Sequence, residues 1–138
     1  MPGYTAEMMC RALALCAVLA GCAEEVHDPR SADVDFRDPK SVIGSVFYAA
    51  ETGHTGHLAA LCDPAGGSDE DTRRICAMHP GAPDWKSFRD SFASARLNGE
   101  PRVHGDRARL DFLFGPGGRS SETMELVRRD GRWYLLDF

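Results

Sequence analysis

Hydrophobic residues along this 138-residue chain fall into three successive patterns. An unbroken apolar run, Ala12–Leu19, comes first, and an acid-rich polar stretch follows from 23 to 37. From Asp38 the apolar positions recur at helical spacing, with Val42, Ile43, Val46, Phe47 and Ala50 on one face. Asp38 as N-cap and Pro39 at the first helical position mark the start of this helix, and Gly53 ends it. Three shorter helices are predicted behind it. One covers about Thr55 to Leu61. The next opens at Ser68-Asp69-Glu70-Asp71, which reads as a capping box, and carries Ile75. The last runs from about Asp84 to Arg96, with Trp85, Phe88 and Phe92 on one stripe.

From Asn98 the period drops to two. Strands are predicted at Arg102–His104, Arg107–Phe114, Thr123–Arg129 and Arg132–Phe138. The turns between them fall at Gly105-Asp106, Gly115–Gly118 and Asp130-Gly131, the last a tight hairpin whose two central residues tolerate positive φ. In the final strand Trp133, Leu135 and Asp137 share one face, and Tyr134, Leu136 and Phe138 the other. Apolar residues on both faces predict an inner strand covered on both sides. Helices first and an antiparallel meander second make an α+β domain, its N-terminal helices packed on a curved, cone-like sheet of about four strands.

The first apolar run follows a single positive residue, Arg11, and is about half the ~20 residues needed to cross a bilayer. That suits the core of a signal peptide rather than a transmembrane helix. The run closes on Leu19-Ala20-Gly21-Cys22, which resembles a bacterial lipobox. The resemblance implies a lipoprotein signal peptide over 1–21 and acylation of Cys22, with palmitate-like chains anchoring the mature protein to a membrane. An ordinary secretory leader and a buried N-terminal helix are the alternatives. Met8 or Met9, rather than Met1, is the expected start, because Pro2, Gly3 and Glu7 sit poorly in a leader. Ala23 after the cysteine, where Asp would signal inner-membrane retention, favours the periplasmic face of the outer membrane in a Gram-negative host. Residues 22–37 then read as a flexible tether, and 38–138 as the folded domain.

With the leader removed, Cys62 and Cys76 are the cysteines left besides Cys22. An even pair in an oxidising compartment predicts a disulfide. Its loop of 14 residues would contribute about 3 kcal/mol. Free thiols, or a metal held with His79, are the alternatives; the spacing lacks a second close pair and a fourth ligand. His54 and His57 likewise find no carboxylate beside them to complete a metal set, so no metal and no cofactor is expected.

Charge narrows the partners. The chain has 16 basic and 21 acidic residues, a net −5, and no Lys/Arg block, which argues against nucleic acid.

Several short stretches resemble small exported bacterial domains of the nuclear-transport-factor-2-like (cystatin-like) superfamily. They are Asp38-Pro39, Ala49-Ala50-Glu51-Thr52-Gly53, Gly105-Asp106-Arg107-Ala108 and the closing Asp130-Gly131-Arg132-Trp133-Tyr134-Leu135. The resemblance implies a sheet wrapped around a long helix, with a pocket at the wide end. It also departs from the superfamily, since Asp63–Pro80 is too short and too helical for the two further strands usual there. A pocket of this kind would involve Trp133, Leu135, Asp137 and Tyr48. The leading expectation is an envelope lipoprotein whose domain binds a protein partner or a small apolar ligand, without catalysis. One alternative is an isomerase- or cyclase-like enzyme with Asp111 or Asp137 as base and Tyr48 as oxyanion donor. The other is a structural accessory subunit of an envelope complex.

Overall fold

The computed structural model describes residues 30–138, so the leader, Cys22 and the first part of the tether lie outside the described residues. Three α-helices precede five antiparallel strands. The helices pack on one face of an open sheet, which makes the fold α+β.

Helix α1, Pro39–Thr52, is the central element. The Asp38 carboxylate accepts from the Lys40 amide at 2.9 Å, and Gly53 takes the left-handed conformation, φ 81°, that closes the helix onto the Ala49 carbonyl. Its buried surface extends beyond the predicted face: Ser41, Gly44 and Ser45 are buried along with the apolar stripe. Small residues here let neighbouring chain approach, and Ser45 satisfies its hydroxyl on the Val42 carbonyl.

A 3₁₀ turn, Leu58–Leu61, takes up only the second half of the second predicted helix. Helix α2, Glu70–Cys76, is capped by Asp69, whose side chain accepts from the Thr72 amide. Ser68 is not the cap. It is buried, receiving the Asp63 amide and donating to the Leu135 carbonyl at 2.6 Å. Asp63–Pro80 therefore holds α2 and no strand.

Helix α3, Trp85–Phe92, stops four residues before the predicted end at Arg96. The chain there enters β1, Arg96–Leu97, a strand that the helical reading of this stretch did not foresee. Strands β2 (Arg102–His104), β3 (Arg107–Phe114), β4 (Ser120–Arg129) and β5 (Arg132–Asp137) complete the sheet. Its order is β1-β3-β4-β5, with β2 pairing the other end of β3. At the β3–β4 turn Gly118 sits at φ 61°, and a Cβ on it would come within 2.9 Å of the Ser94 carbonyl oxygen. Glycine is required there on both counts.

Strand β5 is an edge strand, not the inner strand predicted from its two apolar faces. Its free edge is clad by loops instead. Trp133 N donates to the Phe36 carbonyl at 2.7 Å, Asp69 N donates to the Leu136 carbonyl at 2.8 Å, and Cys62 bridges to Leu135. That cladding satisfies an edge that would otherwise present bare backbone groups. Leu136 is buried too, with its side chain beside Gly67 of the loop after Cys62.

The segment read as tether lies against the domain from Arg30 onward. The Arg30 guanidinium bonds Glu51 at 2.5 Å and the Ala95 carbonyl. Val34 and Phe36 pack on the core, and Phe36 lies 5.7 Å from the Tyr134 ring. Among the described residues, no helix is long and apolar enough to cross a membrane.

Candidate functional site

The four residues marked from sequence as a possible pocket stand in different surroundings. Trp133 and Leu135 are buried in the core. Tyr48 is half-buried on α1 with its hydroxyl 3.2 Å from His54 Nδ1. Asp137 is exposed. The face assignment in β5 fails at one residue: Leu135 pairs with Leu126, yet Asp137 pairs with the adjacent Glu125, so Leu136 is an extra residue in a β-bulge. One inserted residue reverses the alternation. Phe138 therefore turns inward, with its ring 5.6 Å from Phe92 and 5.9 Å from Phe112.

Two carboxylates are tightly held. Asp111 accepts from Arg102 at 2.7 and 3.0 Å and from the Thr123 hydroxyl at 2.6 Å. The Arg102 hydrogen bonds, helped by Thr123, hold its pKa down to about 2. Asp63, which the sequence reading passed over, has a side chain with no exposed surface. It accepts from Arg129 Nε at 2.5 Å and Nη2 at 2.8 Å, and from the amides of Ala65 and Gly67. Its pKa is also lowered to about 2, chiefly by Arg129, with the backbone donors adding to it and burial opposing. The signal for this knot was Asp-Pro-x-Gly-Gly just after Cys62, a turn in which a carboxylate bonds amides two and four residues on. Carboxylates pulled so low are poor general bases at neutral pH.

Cys62 and Cys76 lie at disulfide distance, with sulfurs 2.07 Å and Cα atoms 6.1 Å apart. This cross-link joins the start of the Asp63 loop to the end of α2. His57 Nε2 meets the Ser45 carbonyl at 2.8 Å, so that ring is engaged with backbone. Among the described residues, no three His, Cys, Asp or Glu side chains converge as a metal site would require.

Two surface clefts stand out. One, about 620 Å³, lies beside the docked Arg30, with Glu51, Arg89, Asp90 and Ser94 on its walls. Its carboxylates are matched already, Glu51 by Arg30 and Asp90 by Lys86 at 2.6 Å. The other, about 440 Å³, runs between α2 and α3. Ile75 and Met78 form one wall and Ser87 and Ser91 stand on the other, over a floor of Phe88, Phe92 and Phe138. Asp71, Arg74 and Asp84 lie on its rim. Neither cleft is lined by Trp133, Leu135, Asp137 or Tyr48. An apolar floor with a few polar groups at the edge is the make-up of a small-ligand site, and the volume falls in the range such sites occupy.

No family model matches the chain, and no match is found among curated proteins. Two solved structures resemble it. One is a SEC-C motif containing protein from Rhodopseudomonas palustris, 21% identical, covering 78% of each chain with a TM-score of 0.44. The other is an NTF2-like transpeptidase from Campylobacter jejuni, 14% identical, covering 71% of this chain and 96% of that one with a TM-score of 0.46. Both likenesses concern overall architecture, and neither brings an activity with it.

Proposed function

We propose that this chain is an envelope lipoprotein, acylated on Cys22, whose domain is a binding module of nuclear-transport-factor-2-like type. A small apolar ligand seats in the cleft between α2 and α3. The observation that carries this reading is the aromatic floor of that cleft, where half-buried Phe138 meets the ring of Phe92 at 5.6 Å beside buried Phe88. Binding rather than catalysis is supported by Asp63 and Asp111, both locked to arginine. The leader supports the anchor, and Ala23 favours the outer membrane of a Gram-negative host.

The binding test uses the full chain carrying Cys22→Ser and phenylnaphthylamine, a neutral fluorescent aromatic. Saturable binding is expected, with amide shifts along α2 and α3. Ser87→Arg, which fills the mouth from an exposed position, should weaken binding at least tenfold. Undiminished binding by Ser87→Arg, or shifts elsewhere in the domain, would sink the site. For the anchor, Cys22→Ser should release the protein from membranes or leave it unprocessed. Continued membrane association with cleavage at the same bond would defeat the lipoprotein reading.

A further inference from the structure

We propose that the Cys62–Cys76 bond is a redox latch on the α2–α3 cleft: exchange with a protein dithiol frees α2 and dismantles one wall. This rests on that cleft being the binding site.

Helix α2 supplies Asp71, Arg74, Ile75 and Met78 to the cleft. It has seven residues, well short of the ~12–15 that a helix needs to persist in water unaided. Its N-terminal end is held by the Asp69 amide on the Leu136 carbonyl and by Arg73 on the Ser68 carbonyl. At its C-terminal end the covalent hold is Cys76 to Cys62, and Cys62 is itself fixed beside Leu135. The packed position also carries a cost. Thr72 is fully buried, and its hydroxyl finds no hydrogen-bond partner among the described residues. Release into water would satisfy it. Ile75, Cys76 and Met78 also anchor this short helix in the core, so the covalent clamp and the unsatisfied hydroxyl at Thr72 decide whether that packing is kept.

Cys62 is the more exposed of the two cysteines. A partner thiolate attacks its Sγ, the S–S bond breaks, and the electron pair leaves on Cys76 Sγ, which takes up a proton. The partner's second thiol then displaces Cys62 and closes a disulfide in the partner. The chain has gained two electrons and two protons, and the dithiol has been oxidised.

The test follows amide hydrogen exchange and phenylnaphthylamine fluorescence in the full chain carrying Cys22→Ser, before and after reduction by a phosphine. On reduction, exchange in Glu70–Cys76 should rise by on the order of a hundredfold, the factor matching loss of such a cross-link, while β3 and β4 stay protected. The probe should be released, and Cys62→Ser/Cys76→Ser should reproduce the reduced state. Unchanged α2 exchange overturns the latch whatever the probe does. Loss of protection in β3 and β4 overturns it too, since the bond would then hold the whole fold. If the oxidised chain never bound the probe, the cleft reading falls alone, and α2 exchange still decides the latch.

Discussion

Arg129 grips Asp63 with Nε and Nη2, at 2.5 and 2.8 Å, across 66 residues of sequence. The pair ties the loop after Cys62 to the end of β4. Asp63 carries the consequence, because its side chain is wholly enclosed while Arg129 keeps 40% of its own exposed.

Asp63→Asn is expected to destabilise the domain by about 2 kcal/mol at neutral pH, measured by urea unfolding. The carboxyl is held at about 2, below its ordinary 3.8. A lowered folded-state value means the contribution is complete above the unfolded value and fades as the pH falls towards 2. The gap between wild type and variant should therefore close between about pH 4 and pH 2. A gap that persists unchanged at pH 2 would contradict the ion pair.

Asp111 provides a direct reading of the same physics on the sheet surface. Its carboxyl carbon should titrate in NMR with a midpoint near 2, and Arg102→Gln should move that midpoint upward. An unshifted midpoint in the variant would mean that Arg102 does not hold it.

The bulge at Leu136 makes opposite forecasts for neighbouring residues. Phe138→Ala should cost about 2–3 kcal/mol, because the ring meets Phe92, Phe112 and Phe114. Asp137→Ala, at an exposed position, should stay within about 0.5 kcal/mol. Thermal unfolding of the two variants compares them directly, and the reverse ranking would restore unbroken alternation in β5.

Gly118→Ala combines a left-handed backbone with a collision on the Ser94 carbonyl, and should cost about 2 kcal/mol or more. Gly131→Ala, at φ 77° with open space around it, should cost only about 1 kcal/mol. Equal losses in denaturant unfolding would show that the close approach to Ser94 is absent.

What could be read from sequence follows the range of the forces involved. Asp38, Pro39 and Gly53 delimit α1 through contacts within a few residues, so the helix is legible in full. So is the Asp130-Gly131 hairpin, with φ values of 52° and 77°. Strand β1 is not, because Arg96 and Leu97 take strand form by pairing with Leu113 and Phe112, more than a dozen residues away. The bulge is illegible for the same reason: the Leu136 carbonyl is claimed by Asp69, and nothing within β5 announces it. Phe138 belongs to the cleft floor only once the alternation has slipped, so a strict period of two points to Trp133 and Asp137 instead.

The loop-clad edge of β5 bears on how the chain finds this structure. Phe36, Cys62, Ser68 and Asp69 all meet β5 from far upstream, Ser68 across 67 residues. None of those contacts forms until a large loop has closed, and closing it loses entropy before any contact compensates. The helices and the β4–β5 hairpin can appear early from local signals, but the upstream loops reach β5 late. Folding should accordingly run in milliseconds to seconds rather than microseconds, with docking of β5 under its loops as the slow step.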